Sequence, residues 1–364
     1  MYSKQFFNTD LLDLPKERSG RDIVEYLSNI FDEYKTCVNA LSLNDMIGKA
    51  IRGKIVQISF VCDQIIESIS KYLKGFPNQA YKILEECIEN IKSDFDHLIA
   101  SDVNTSDIGS LYRMRLGDHL RYSKDDLFHI PFHKRYKVAT QRYSISGLPC
   151  LYLGGSVYIC WVEMNKPDYN KIHLSRFEPE KGTLKILDFG YRPGWWAATI
   201  DFFKQPSKMD EKFRQFIISQ AICWPMLAAC SIVVEKEDGA FNPEYIITKM
   251  ILEWVRANEE VDGIRYFSVH EKKYPLNPKI HHNYVFPVQE IRNEGFCQIL
   301  KKKFKLTEAA SWQILKSMSL KGYSTAGVPR DDIELIPGIP VTYYSTDFGE
   351  IEIKLNNMDV DYLR

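Results

Sequence analysis

The stretch Arg135–Glu163, RYKVATQRYSISGLPCLYLGGSVYICWVE, decides how the chain is read. It sets an arginine, a tyrosine and a carboxylate (Arg142, Tyr152, Glu163) ten and then eleven residues apart. SISG turn chemistry follows the arginine, and a GGS turn follows PCLYLG. PCLYLG reads as a strand and SVYICWVE as the helix after it. Tyr152 then projects from the strand and Glu163 lies near the C-terminal end of the helix, so strand, turn and helix return both side chains toward one cleft.

Outward from this stretch the texture stays mixed. LYRMRL, GTLKILDFG and GIRYFSV are short aromatic and β-branched runs broken by Gly and Pro, the pattern of strands. Helices are expected near Val157–Met164, Asp210–Leu227 and Glu244–Asn258. With no regular βαβ period and no internal repeat, the class predicted is α+β, a mixed β core with helical insertions. Residues 1 to about 105 read instead as helical. Ile55, Ile58, Cys62, Ile65, Ile66, Ile69 and Leu73 recur at helical spacing, as do Ala80, Leu84, Cys87, Ile88, Ile91, Phe95 and Leu98. The turn KGFPNQ between them predicts a helical hairpin, an arrangement suited to a partner surface or a lid. SDVNTSD (101–107) reads as a linker or cap. The domains expected are a helical region 1–105, a catalytic domain 109–300 and a C-terminal extension 301–364. In the extension KKKFKLTEAASWQILKSM suggests a short helix, VTYYSTDFGEIEIKL looks strand-like, and Lys301–Lys303 read as a solvated helix start; no chemistry is assigned to it.

Bulk properties narrow the classes. A chain of 364 residues with 45% hydrophobic content supports a large core plus a smaller unit. Lys and Arg total 47 against 48 for Asp and Glu, so no overall field draws a polyanion and nucleic acid is not an expected partner. Eight cysteines without a CxxC pair suit free thiols in a reducing compartment and argue against metal held through Cys. The N-terminus MYSKQFFNTDLLDLPKERSG lacks the features of a secretory leader, so a cytoplasmic location is expected. Phe216–Val234 runs nineteen residues without a charge, long enough to span a membrane. Ser219, Gln220, Pro225 and Ser231 favour a buried helix running into a strand SIVV, and no membrane is expected.

The residue types around Glu163 suit cleavage of a ribose to nicotinamide bond. That reaction passes through a cationic sugar, which a carboxylate can stabilise while it hydrogen-bonds the ribose hydroxyls. Glu163 is the candidate. Tyr152 can stack on the flat, cationic leaving ring, and Arg113 and Arg142 can grip a diphosphate. Arg115 shares the strand face of Arg113 and could replace it; Tyr143 is a second ring wall or plain core. His281–His282 lack a third ligand at useful spacing, and Pro131 between His129 and His133 opposes a helical pair, so no metal is expected. A HEPN-type ribonuclease is disfavoured, because His97, the only histidine of the helical region, has no arginine in the ten residues before it.

Leu111-Tyr112-Arg113, then Arg142 through Pro149, Leu151-Tyr152-Leu153 and Glu163 resemble the motifs of the RES domain family, named for an Arg, a Glu and a Ser. PEYIITKMILEWVR followed by DGIRYFS and a later NYVFP resembles the long branch of that family, supplying Ser268 as the family serine and Asn283 of NYVFP as a substrate-binding candidate. The resemblance covers about residues 110–290, and YLKGFPNQAY looks like the HEPN-like region that precedes such domains. It implies an ADP-ribosyltransferase-like fold and a glycohydrolase or phosphorylase that degrades NAD+. NAD+ would be substrate and not cofactor, with water or inorganic phosphate as acceptor. It further implies a toxin held by an antitoxin or other regulatory protein, although compact members lack the helical region and the tail. A homo-oligomer through the helical region is a further expectation. An ADP-ribosyltransferase acting on a macromolecule or small molecule, and an inactive nucleotide-binding module, stand as alternatives.

Overall fold

The computed structural model describes residues 1–100, 109–118, 122–182, 184–203, 209–235, 239–270, 278–319, 332–336 and 338–363; the expected linker 101–107 lies outside them. In chain order the helices are α1 Ser3–Phe7, α2 Ile23–Asn39, α3 Met46–Gly53, α4 Ile55–Leu73, α5 Pro77–Asn90, α6 Lys92–Phe95, α7 Val157–Glu163, α8 Pro193–Phe203, α9 Glu211–Cys230, α10 Ile246–Ala257, α11 Gln298–Lys303, α12 Trp312–Ser317 and α13 Asp347–Asn356. The strands are β1 Ile99–Ala100, β2 Leu111–Leu116, β3 Cys150–Gly154, β4 Ile172–Pro179, β5 Ile186–Phe189, β6 Gly263–Phe267, β7 His282–Pro287, β8 Phe304–Leu306, β9 Ala310–Ser311, β10 Asp332–Ile336, β11 Ile339–Thr342 and β12 Asp361–Tyr362. The class is α+β with a helical N-terminal region.

The compact units are not linear segments. The first comprises Met1–Ala100, Gln141–Ser144 and Leu187–Ala257; the second comprises Ser101–Thr140, Ile145–Ile186 and Asn258–Arg364. The expected scheme of 1–105, 109–300 and 301–364 follows the order of the chain, whereas these units follow packing.

In the first unit the predicted hairpin forms as α4 and α5. The chain turns at Gly75, whose φ of +86° favours glycine, and Pro77 opens α5 where a missing N–H costs nothing. Ile58, Cys62, Ile65 and Ile69 of α4 are buried, and α4 packs against α2, α5 and α9. The uncharged run that raised the membrane question is α9, in which Ile217–Cys230 are all buried. Tyr34 stacks on Trp224 at 4.3 Å between ring centroids and donates its hydroxyl to the carbonyl of Ala221. No described helix is long and apolar enough to cross a membrane. The strand expected for SIVV is reduced to one parallel bridge, Ile232 to Lys16, because only that short piece of N-terminal backbone lies beside it.

In the second unit the strands run β6-β7-β3-β2-β4-β8-β12, with β9 also on β4, and these neighbours pair antiparallel. Alternation along the strands divides their side chains between two cores. Leu111, Leu151, Leu153, Phe177, Tyr284 and Phe286 fill one. Tyr112, Met114, Ile172 and Leu174 join α7 in the other, together with Trp312, Tyr343, Phe348 and Ile351 of the C-terminal segment. That segment departs from its strand-like reading. Beyond β11 it forms α13, capped by Thr346, whose hydroxyl accepts from the Gly349 N–H at 3.4 Å. The I-E-I-K-L alternation misleads because Phe348, Ile351 and Leu355 share a helix face, while the intervening Lys354 is held by Glu350 at 2.6 Å. Lys301–Lys303 close α11 instead of opening a helix, and Lys303 pairs with Asp262 at 2.5 Å.

Candidate active site

Glu163 is the last residue of α7, and a carboxylate there opposes the helix dipole. Two donors from distant parts of the chain offset that cost. The Ser268 hydroxyl donates to its Oε1 at 2.6 Å and the Asn283 side-chain amide donates to the same oxygen at 2.8 Å. The other oxygen, Oε2, lies 4.0 Å from Nε2 of His270, and the Glu163 side chain keeps 30% of its surface exposed. The carboxylate is thus fixed at one oxygen on a partly exposed side chain. His270 also donates its backbone N–H to the Ser268 hydroxyl at 3.2 Å, which orients that hydroxyl toward Glu163.

The route by which α7 reaches Asn283 is local. Register pairs Tyr112 with Gly154, Gly154 with Asn283, and Asn283 with Tyr266, a row across four strands on one face. Glycine in that row lets the helix settle close: a Cβ on Gly154 would stand 2.6 Å from both Cys160 Sγ and Ile159 Cγ2. Ser156 caps α7 by accepting from the Ile159 N–H at 2.9 Å and donates to the Ile280 carbonyl at 2.6 Å, so the GGS turn is tied to the segment entering β7.

Arg113 and Tyr152 flank the place where the sheet parts. The pairing of β2 with β3 is confined to Tyr112 and Gly154, whereas Leu111–Leu116 all pair with β4 on the other side. Burial draws the Arg113 guanidinium down to about 10, with Arg115 adding to the effect and Cys160 and Tyr152 opposing it. It remains a cation at neutral pH, and its buried Nη1 finds no hydrogen-bond partner among the described residues. A sealed guanidinium nitrogen without a partner carries a desolvation cost. Burial pushes the Tyr152 phenol well above its usual range; Cys150 and Tyr266 reinforce this and Arg113 counters it. Cys160, beneath α7, donates its thiol to the Tyr112 carbonyl at 3.3 Å and is pushed up to about 12, chiefly by burial. A thiol so protonated is no nucleophile at neutral pH.

The structure brings Glu163, Ser268 and Asn283 into direct contact, with Arg113 and Tyr152 electrostatically linked in the same unit. Arg115 is otherwise engaged, donating to the Asp126 carbonyl at 2.7 Å and carboxylate at 3.3 Å and lying over Tyr122. Arg142 and Tyr143 belong to the first unit. Arg142 donates to the carbonyls of Cys230 at 2.6 Å and Ile232 at 2.8 Å, closing the C-terminal end of α9, and covers the Tyr245 ring. Tyr143, at a φ of +53°, is 1% exposed, so it is core and not an open ring wall. His270 was not foreseen; its one signal is its place two residues beyond Ser268 in YFSVH. Among the described residues no three His, Cys, Asp or Glu side chains gather as a metal site requires.

No family model and no solved structure matches the chain. It is 33% identical over 359 residues to a protein of Bacillus subtilis (strain 168) named "Putative toxin YopC", an alignment covering 95% of this chain and 78% of that protein.

Proposed function

The chain belongs to the family that includes YopC of Bacillus subtilis, and from that premise we propose that it is a toxin whose second unit destroys NAD+. The observation that carries this is the contact of Glu163 with Ser268 and Asn283, 105 and 120 residues further along the chain. Two donors fix one oxygen, and the second, 4.0 Å from His270 Nε2, is left to hydrogen-bond ribose hydroxyls and offset charge on the sugar. As the bond from ribose C1′ to the nicotinamide nitrogen breaks, its electron pair leaves with the ring, which becomes neutral. An oxygen of water or inorganic phosphate bonds C1′ and releases its proton to solvent. Arg113 supplies a fixed positive charge toward the diphosphate, and Tyr152 offers its face to the leaving ring. Arg142 is given no part in this scheme; two of its nitrogens donate to the carbonyls of Cys230 and Ile232. The toxin acts in the cytoplasm, and an antitoxin or other regulatory protein restrains it.

Purified protein incubated with labelled NAD+, with and without phosphate, tests this. Free ADP-ribose or its 1-phosphate is expected, and Glu163→Gln should lower the rate by about 10²–10³-fold without changing thermal unfolding. Label retained on a macromolecule would instead make it a transferase, and binding without turnover a nucleotide sensor. A Glu163→Gln protein as active as wild type ends the proposal.

A further inference from the structure

The C-terminal segment, silent in the sequence, touches both elements that carry the candidate site. Residues 352 and 356 are one helical repeat apart on α13 and share a face. Glu352, 3% exposed, accepts the backbone N–H of Val157, the first residue of α7, at 2.6 Å on Oε1. The same oxygen accepts the hydroxyl of Tyr343, itself fully buried. One turn on, Asn356 accepts the hydroxyl of Tyr112 at 3.0 Å, and Tyr112 precedes Arg113 on β2. Arg176 of β4 fixes the end of α13 by donating to the carbonyls of Leu355 at 3.0 Å and Met358 at 2.8 Å. Packing alone does not call for a carboxyl here. Ser156 already caps α7, and an apolar side chain would fill the same volume without the cost of burying an ionisable group.

We propose that α13 braces the site: Glu352 is a positioning residue that sets the first turn of α7, and thereby Glu163, while Asn356 steadies the strand bearing Arg113. The functional part rests on the reading of Glu163 as the catalytic carboxylate; the bracing itself does not. α7 is seven residues long, so a shift of its first turn is carried to its last residue with little damping. Misplacement by about 1 Å can cost on the order of 10² in rate.

The full chain carrying Glu352→Ala or Glu352→Gln is compared with wild type at a temperature where thermal unfolding shows each to be folded. The readouts are kcat and KM for NAD+ and hydrogen exchange of peptides covering 155–164. Glu352→Gln retains an acceptor for Val157 and should keep kcat within about threefold. Glu352→Ala should lower kcat at least about tenfold with KM little changed, and speed exchange over 155–164. Wild-type kcat and exchange in folded Glu352→Ala, or equal losses in both variants, overturn the proposal. If wild type itself does not consume NAD+, the functional reading falls, and exchange decides the bracing: faster exchange upholds it and unchanged exchange overturns it. Should Glu352→Ala fail to fold, Asn356→Ala, at an exposed position, must speed exchange over 111–116 or the proposal is overturned.

Discussion

Glu352 shows how one buried group couples the site to pH. Burial pushes its carboxyl from 4.5 to about 8, against the opposing hydrogen bonds from Tyr343 and Val157, so the folded protein holds it as the neutral acid. A raised acid stabilises the fold fully below its unfolded value. That contribution therefore erodes as pH climbs above 4.5 and is gone once pH passes about 8. At about 1.4 kcal/mol per unit, the loss across that window is on the order of 5 kcal/mol. Glu352→Gln cannot ionise, and denaturant unfolding measured between pH 5 and 9 should fall less steeply with pH for this variant than for wild type. Parallel curves would refute the assignment. Glu163 and Ser268 stood out in the sequence through the chemistry of a cationic sugar and the family motif. Glu352 did not, because nothing in I-E-I-K-L distinguishes a buried carboxyl from a solvated one.

At the scale of elements, the β3–turn–α7 unit was legible in CLYLGGSVYICWVE because strand, glycine turn and helix each leave a local signature. Its closeness to β7 was not. A Cβ on Gly155 would overlap the Lys279 carbonyl, and Gly155 donates its N–H to the His282 carbonyl at 2.8 Å. Gly155→Ala should therefore destabilise the protein by about 1–3 kcal/mol, as forced overpacking does, since a backbone carbonyl cannot swing aside. Denaturant midpoints check this; an unchanged midpoint would mean that the turn has more room than its contacts indicate. Arg142, read in the sequence as a diphosphate grip, donates to the carbonyls of Cys230 and Ile232 in the structure. Its sequence neighbours gave no sign that the end of α9, some ninety residues away, needed donors for two carbonyls.

For the whole molecule, the first unit draws on three separate stretches of chain. Phe95 packs edge-on to Trp254 at 5.3 Å, and Trp224 donates its indole N–H to the Leu12 carbonyl at 3.2 Å. Removing residues 1–100 would uncover α9 and α10, which bury Ile217, Trp224, Ile251 and Trp254. The chain beginning at residue 101 is expected to aggregate, read as loss of soluble yield and of a discrete peak on size exclusion. A soluble, monomeric product with a native-like helical spectrum would contradict the division into units. What the sequence determined by itself was local: the helical hairpin, the β3–turn–α7 unit and the α+β class, set by periodicity and turn chemistry within some twenty residues. Tertiary structure alone decided which segments share a core, that Glu163 meets Ser268 and Asn283, and that α13 reaches under α7. Those contacts join residues more than a hundred positions apart, and long-range burial leaves no periodic trace along the chain.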